Sequence, residues 1–323
     1  MMVLAKTPLR LPMAGGLSDL KEYANIHGGL TISATINKYI YVAVKDSATR
    51  DFELHYLNSH EKTPLADEIK HNHIREAIRM AGLSQRPLDL SIMNDMPHEG
   101  GLGSSGALSA ALFSALYALK GEEASPSGVI RDSSTLEMDV LEGASGYHDH
   151  TITHLGGFRL ISYNKAGFQT LPFEPASETV RKFFKRFMLF YSGFHAKTKP
   201  SLALLAENLH AVLPEMEAMK ANALDLVEAL HAGDVFAAGS CIQRQQDIKQ
   251  KLPGYFENEF VLDTMRRARK IGVYAQIPGG KIGSFLIIFR PKGVKRKTVR
   301  EHFSDLQHVP FEFVPEGSRT TSL

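Results

Sequence analysis

Residues 88–120 decide how the rest of the chain is interpreted, and their sequence is LDLSIMNDMPHEGGLGSSGALSAALFSALYALK. Apolar residues dominate Leu88–Met93, which predicts a strand. From Ala107 to Leu119 apolar residues recur at helical spacing, which predicts a buried helix. The glycine-rich segment Gly101–Ala107 lies between them. The stretch therefore predicts a strand, a glycine-rich loop and a helix in direct succession.

The glycine-rich loop has the chemistry of an anion-binding site. Glycines at 101, 103 and 106 let backbone amides approach a ligand closely. The loop runs into the first turn of a helix, where unpaired N–H groups and the helix dipole favour negative charge. Ser104 and Ser105 add hydroxyls for a phosphate or a divalent cation. These features predict binding of a di- or triphosphate.

Three other interpretations of the loop remain open at this point. A Walker loop needs Lys followed by Ser or Thr after its last glycine, and Gly106 is followed by Ala107. The dinucleotide-binding spacing G-x-G-x-x-G is present, but about 100 residues into the chain and without the acidic residue that closes a second strand. A helix cap with close-packing glycines needs no ligand at all.

Composition excludes several classes of protein. The 323 residues are 43% hydrophobic and 22% charged, with a net charge of only +2, so neither nucleic acid nor a membrane surface is expected as a partner. The basic run 290–297 has no interleaved aromatic residues, and we interpret it as a solvated surface. Cys241 is the only cysteine, which fits a reducing, cytoplasmic compartment. No segment has the pattern of a signal peptide or a membrane span.

The order of strand and helix signals predicts two lobes. The first half mixes the two kinds of signal, and the second half is more helical. A helix is predicted over Leu65–Met80 and a last strand over Phe311–Val314. We place the boundary between residues 180 and 181, giving lobes of 1–180 and 181–323.

Two segments resemble the first and second motifs of the GHMP kinases, the superfamily of galactokinase and of homoserine, mevalonate and phosphomevalonate kinases. They are Thr7-Pro-Leu-Arg-Leu-Pro-Met-Ala-Gly-Gly-Leu-Ser-Asp19 and Pro97-His-Glu-Gly-Gly-Leu-Gly-Ser-Ser-Gly106. Further segments are similar to the D-glycero-D-manno-heptose 7-phosphate kinases and extend the resemblance over nearly the whole chain. They are His27–Gly29, Ala34–Tyr39, Gly146–Gly157, Phe190–Gly193 and Gly317–Arg319.

The resemblance implies a fold and a reaction. The implied fold is the α+β, two-lobe GHMP-kinase fold, with a first lobe like domain 2 of ribosomal protein S5 and a ferredoxin-like second lobe. The implied reaction is transfer of a phosphoryl group from ATP, with Mg²⁺, to the anomeric hydroxyl of a heptose 7-phosphate. A small-molecule sugar partner is therefore expected, and a homodimer is left open.

The resemblance also assigns roles to individual residues. Asp149 falls on the catalytic aspartate that accepts or orients the proton of the attacking hydroxyl, and Arg10 falls on the basic residue beside it. Glu137 falls on the magnesium ligand, with Ser105 as its hydroxyl partner. The residues implied for nucleotide binding are Pro97, Gly101, Leu102, Gly103, Ser104, Ser105, Gly106 and Ala107. Those implied for the sugar are Asp19, Gly16, Ser18, His27 and Gly146.

The sequence departs from the family pattern at two places. The third glycine-rich motif is replaced by Pro278-Gly-Gly-Lys-Ile-Gly-Ser284. Histidines replace the glutamines that flank the catalytic aspartate, and His148, His150 and His154 together raise the alternative of a transition-metal site. These departures suggest a divergent member.

Two other functions stay open beside the heptose kinase. The same machinery would serve another sugar such as fucose, or a small alcohol such as mevalonate. A non-catalytic sensor built on the fold is the third hypothesis, motivated by the altered third motif. A phosphorylated acceptor needs basic groups, and the candidates are Lys6, Lys21, Lys38, Lys45, Lys197 and Arg319.

Overall fold

The computed structural model describes residues 1–97, 100–143, 145–194, 199–253, 258–279 and 284–323. Its strands are β1 (Met2–Ala14), β2 (Gly29–Asp46), β3 (Phe52–Tyr56), β4 (Ser59–Thr63), β5 (Leu88–Asn94), β6 (Phe158–Asn164), β7 (Gly167–Leu171), β8 (Phe187–Tyr191), β9 (Tyr274–Gln276), β10 (Phe285–Phe289), β11 (Gln307–Val309) and β12 (Arg319–Ser322). Its α-helices are α1 (Lys21–His27), α2 (Asn72–Met80), α3 (Ser104–Lys120), α4 (Pro126–Thr135), α5 (His148–Leu155), α6 (Ser177–Phe184), α7 (Lys199–Glu207), α8 (Leu213–His231), α9 (Val235–Lys249), α10 (Glu259–Lys270) and α11 (Arg296–His302).

The first sheet is organised around the long strand β2. Its strand order is β12-β1-β2-β5-β3-β4, and β6 pairs with both β2 and β7. The C-terminal part of β2 pairs with β5, and its N-terminal part pairs with β6. The pairs are antiparallel except for β3 with β5. One 18-residue strand thus carries both halves of the sheet.

Helix α3 packs against β1 and β2 on the inner face of this sheet. Its buried positions are rich in alanine, including Ala107, Ala111 and Ala115, and all three have no exposed surface. Small side chains let a helix approach a sheet closely, which fixes where its N-terminus lies. The glycine-rich loop before α3 is therefore held at one end of β1.

The second sheet has the order β11-β8-β10-β9 and is antiparallel throughout. Its strand β10 is buried at all five positions. Phe285, Ile287 and Phe289 belong to the large core shared with α8 and α9, whereas Leu286 and Ile288 face a second core with α10 and α11. Helices therefore cover both faces of this strand, which explains its continuous apolar sequence.

The predicted α+β fold class is confirmed, and the structure contains two sheets. The strand over 88–93 and the helix beginning near Ala107 are confirmed as β5 and α3. In the described part of the chain, no helix has both the length and the apolar character needed to cross a bilayer. The lobe boundary at residue 180 remains a prediction.

Two predicted elements are wrong. The helix over Leu65–Met80 begins only at Asn72, because the preceding residues form the end of a hairpin and a short 3₁₀ turn. The strand over Phe311–Val314 is reduced to one isolated bridge, between Phe313 and Ile36. Prolines at 310 and 315 bracket this segment and cannot donate to a ladder.

The C-terminus instead returns to the first sheet, where β12 pairs with β1. The Gly317 backbone packs on α5, since a Cβ there would lie 2.0 Å from the carbonyl oxygen of His154. Ser318 Oγ lies 2.8 Å from Thr7 Oγ1. The C-terminal Gly-Ser-Arg segment of the resemblance thus has a packing role next to β1.

Candidate active site

A cleft of about 790 Å³ is lined by residues from both lobes, including β1, the start of α3, α5, α9 and β9. It contains most of the site residues predicted from the sequence. These are Arg10, Gly16, Asp19, Gly101, Gly103, Ser104, Ser105, Glu137, Gly146 and Asp149. Residues more than 130 positions apart in the chain thus share one cavity.

Arg10 and Asp149 form an ion pair in this cleft. Arg10 Nε donates to Asp149 Oδ1 at 2.8 Å, and Arg10 Nη2 lies 2.7 Å from the same oxygen. Desolvation would raise the pKa of the Asp149 carboxyl, but the charge and hydrogen bond of Arg10, together with His148 and His150, outweigh it and hold that pKa below its usual range. Oδ2 accepts no hydrogen bond from the described residues. The carboxylate is therefore ionised, fixed at one oxygen and open at the other.

Arg10 also anchors the glycine-rich loop. Its backbone N–H donates to the carbonyl of Leu102 at 2.9 Å, and its Nη1 donates to the carbonyl of Gly101. Gly101 and Gly103 have φ of 77° and 75°, a left-handed conformation that favours glycine. The start of α3 and the Asp149 carboxylate are thus tied to one guanidinium.

Two glycines let α3 and the loop before it lie close to α5 and to Arg10 of β1. A Cβ at Gly106 would lie 2.7 Å from Asp149 Cβ and 2.8 Å from the His150 backbone nitrogen. A Cβ at Gly103 would lie 2.8 Å from Arg10 Cγ. Gly106 therefore places the catalytic candidate by close packing, and its contact with a ligand remains a proposal.

Glu137 lies on a π-helical turn, Leu136–Val140, that continues from α4. Its Oε1 accepts from Ser109 Oγ at 2.7 Å and lies 3.2 Å from His150 Nε2. Burial would raise the pKa of its carboxyl, but His150, His73 and Ser109 together lower it to about 2. Oε2 has no partner among the described residues. Glu137 is thus an ionised carboxylate with one oxygen available to the cleft.

Asp19 is a second buried carboxyl in the same cleft, 8% exposed. Burial, and then the Asp149 charge, raise its pKa to about 6. Its Oδ2 accepts from the backbone N–H of His148 at 3.2 Å. A Cβ at Gly146 would lie 2.0 Å from the same oxygen, so the glycine is required for this approach. Asp19 is held close to the start of α5.

Comparison with known families finds a match to part of this geometry. Residues 70–157, which include the loop, Glu137 and Asp149, match the model of the GHMP kinases N terminal domain. Members of this family are ATP-dependent phosphotransferases with a hydroxyl acceptor.

Curated relatives of this chain are kinases of different acceptors. The mevalonate kinase of Thermococcus sibiricus is 26% identical over 67% of this chain, and the alignment spans only 65% of that relative. The D-glycero-alpha-D-manno-heptose 7-phosphate kinase of Campylobacter jejuni is 21% identical over 98% of both chains.

Solved structures share the fold of this chain over nearly its whole length. A D-glycero-D-manno-heptose 1-phosphate kinase from Bacteriodes thetaiotaomicron has a TM-score of 0.82 at 21% identity, covering 99% of both chains. A putative sugar kinase from Campylobacter jejuni has a TM-score of 0.78 at 20% identity, covering 99% of this chain and 98% of that one.

The residues around Glu137 fit a hard divalent cation. Mg²⁺ prefers carboxylate and hydroxyl oxygens, and Glu137 and Ser105 both line the cleft. Ser105 Oγ lies 3.5 Å from His73 Nε2, and His73 also lines the cleft. His73 carried no motif signal in the sequence and was missed.

Some predicted site residues lie outside the cleft lining. Ser18 is buried, and its Oγ donates to the carbonyls of Gly15 and Leu30 at 2.7 and 3.0 Å, which is a structural role. His27 is exposed at the end of α1, where its ring packs on Tyr23. The other residues outside the lining are Pro97, Leu102, Gly106 and Ala107.

Lys249 is a cleft residue that the sequence did not reveal. It is 4% exposed at the end of α9, and its Nζ donates to the carbonyls of Ile277 and Gly279 at 2.6 and 3.0 Å. Burial, and then the Arg10 charge, lower the pKa of its ammonium to about 7. A Cβ at Gly279 would lie 3.5 Å from Arg10 Nη2, so the start of the altered third motif reaches Arg10. Residues 280–283 of that motif lie outside the described ranges.

Two glutamines, also missed, tie β1 to the second lobe. Gln245 Oε1 accepts from the Gly15 backbone N–H at 3.0 Å, and Gln276 Nε2 donates to the Pro12 carbonyl at 2.6 Å. They fix the first motif against α9 and β9. Glutamines inside a helix or a short strand have no local pattern that distinguishes such a role.

The three histidines around Asp149 do not converge on a metal. His148 Nε2 lies 2.6 Å from Ser33 Oγ, and its Nδ1 lies 3.5 Å from Asp149 Oδ1. His150 instead contacts Glu137. Burial, followed by the Arg10 charge, lowers the pKa of His148 to about 3, so the imidazole is neutral. The sequence-based alternative of a transition-metal site at these residues is not supported.

Proposed function

We propose that the chain transfers the γ-phosphoryl group of ATP, with Mg²⁺, to a hydroxyl of a sugar or sugar phosphate, first of all the anomeric hydroxyl of a heptose 7-phosphate. The observation that carries the proposal is the Asp149 carboxylate. It is ionised, paired with Arg10 through Oδ1, and open at Oδ2 beside the loop that begins α3. A base held next to a phosphate-binding loop is what transfer to a hydroxyl requires.

The roles of the chain's own groups follow from their positions. Backbone amides of the first turn of α3 offer donors for ATP phosphates. Asp149 Oδ2 orients the acceptor hydroxyl or takes its proton. Arg10 keeps that carboxylate ionised and adds positive charge where negative charge develops. Mg²⁺, held by Glu137 and Ser105, would supply charge neutralisation on the phosphates.

The extent of the likeness favours a heptose-type acceptor. The heptose 7-phosphate kinase match covers 98% of both chains, whereas the mevalonate kinases of Thermococcus sibiricus and Pyrococcus horikoshii match 67% and 88% of this one. Asp19, which lines the cleft near Asp149, is the group we propose to bind sugar hydroxyls. The substrate itself remains part of the proposal, since the identity to the heptose enzyme is 21%.

The basic groups suggested for an acceptor phosphate do not line the described cleft. Lys6 lies over the Tyr39 ring at 3.8 Å, and Lys45 pairs with Asp89 at 3.1 Å. Lys21 pairs with Asp139, and Arg319 lies 3.3 Å from Glu316. Lys38 does not line the cleft, and Lys197 lies outside the described residues. Comparing each sugar with its phosphate is therefore the informative experiment.

The test is an ADP-release assay over heptose 7-phosphate, unphosphorylated heptose, fucose, galactose and mevalonate, with ³¹P NMR of the product. Asp149→Asn keeps the shape of the side chain and removes the base, so kcat should fall by about 10²–10⁴. Circular dichroism and Tm establish that the variant is folded. Full activity of Asp149→Asn would overturn the role of Asp149. ATP binding by calorimetry without turnover of any acceptor would favour the sensor.

A further inference from the structure

The hairpin β3–β4 places two histidines and a glutamate on one face. His55 and His60 are cross-strand partners, and their rings stack with centroids 4.5 Å apart. Glu53 lies two residues before His55, on the same side of the strand, and its Oε1 is 3.2 Å from His60 Nε2. Phe52 and Leu54 point to the opposite face and are buried. The three polar side chains therefore lie together on the outer face of the hairpin.

The spacing of their donor atoms is close to that of a metal centre. One donor atom from each of the three side chains lies within 4.8 Å of the others, and no other group of three in the described ranges meets this condition. A tetrahedral zinc ion, with bonds of about 2.0–2.2 Å, separates its ligand atoms by roughly 3.3 Å. The Glu53–His60 pair is already at that separation. Bringing the third donor atom to the same separation needs only rotation of side chains. His60 can rotate because 54% of its side chain is exposed.

We propose that Glu53, His55 and His60 bind a divalent transition metal of the Zn²⁺, Ni²⁺ or Cu²⁺ class, with water completing the coordination. Two imidazoles with one carboxylate suit these ions, whereas Mg²⁺ prefers oxygen ligands. Lys62 is the cross-strand partner of Glu53, but its Nζ lies 3.5 Å from Asp51, and no ion pair with Glu53 is formed. The local charge thus permits a cation.

The site lies next to the cleft but does not share its residues. Tyr56 and Leu57, which follow His55 directly, line the cleft where the hairpin turns. A metal that links β3 to β4 one residue before the turn would hold Tyr56 and Leu57 in place. The proposal is independent of the kinase assignment, because it rests only on the outer face of the hairpin.

The test uses the full-length, untagged, chelator-treated protein. Zn²⁺ binding is measured by calorimetry, and Co²⁺ binding by its d–d absorption, which reports tetrahedral nitrogen and oxygen ligands. The wild type should bind one ion at this site. His55→Ala and His60→Ala should each weaken that binding by at least about 10- to 100-fold, since loss of an outer partner alone already costs that much.

Matched variants separate this site from the rest of the molecule. The chain has 14 histidines, so His210→Ala, at an exposed histidine elsewhere, controls for adventitious binding. Glu137→Gln controls for binding in the cleft. Zn²⁺ binding should survive in both. Binding that is absent in the wild type, unchanged in His55→Ala or His60→Ala, or lost in Glu137→Gln would overturn the proposal.

Discussion

Asp149 and Asp19 line one cleft, yet the pKa values of their carboxyls are shifted in opposite directions. The pKa of Asp149 lies below its usual range, because Arg10 contacts its Oδ1 directly and, together with His148 and His150, outweighs desolvation. The pKa of Asp19 is raised to about 6, because burial and the Asp149 charge outweigh Arg10. Because only Asp149 contacts the Arg10 guanidinium directly, Asp149 is ionised whereas Asp19 titrates near neutrality.

Removing the Arg10 guanidinium should reduce the difference between the two pKa values. Of the substitutions considered, we expect this one to have the largest effect on the rate. Arg10 lowers the pKa of both carboxyls, so in Arg10→Met the pKa values of Asp149 and Asp19 should both rise and the acid limb of kcat/KM should move to higher pH. Loss of one charge-stabilising donor costs about 10²–10³ in kcat. Arg10→Lys, which keeps the charge but not the fork of donors, should restore part of the rate. An unchanged pH profile in Arg10→Met would contradict the assignment.

A substitution that displaces Asp149 without removing any charge should have the next largest effect on kcat. In Gly106→Ala the new methyl group meets Asp149 Cβ at 2.7 Å, so α5 must shift. A misplacement of about 1 Å costs about 10²-fold in rate. Gly239→Ala is the matched control, since its methyl group meets the Phe289 ring at 2.1 Å, far from the cleft chemistry. Both variants should lower Tm, and only Gly106→Ala should lower kcat by this amount. Equal losses of kcat would show that α5 packing does not position the base.

The same comparison shows how far the sequence predicts the site. The motifs predicted three charged site residues, Arg10, Glu137 and Asp149, because each lies in a short, recognisable pattern. The motif did not distinguish packing from binding at Gly106 and Gly146, since both demands select glycine. Only the structure shows that a Cβ at either position would meet an aspartate.

Residues that contact positions far away in the chain left no local signal. Lys249, Gln245 and Gln276 reach carbonyls or amides more than 25 positions away in the chain. Lys249 and Gln245 belong to α9, and Gln276 belongs to β9. Which polar side chain of each element faces the cleft depends on how the two sheets meet, and that is a tertiary property.

Asp19 offers the smallest and most specific test. Below about pH 6 its carboxyl takes up a proton, so kcat/KM for the acceptor should fall roughly tenfold per pH unit in the wild type, since this parameter reports groups of the free enzyme. Asp19→Asn cannot titrate, so its profile should be flat through that range at a lower plateau.

Because the folded pKa lies above the unfolded value, the protonated carboxyl stabilises the fold below about pH 4, and this contribution is lost as the pH rises through about 6. Wild-type Tm should therefore fall relative to Asp19→Asn between pH 4 and 6. An acid limb that persists in Asp19→Asn would assign the titration to another group and remove Asp19 from acceptor binding.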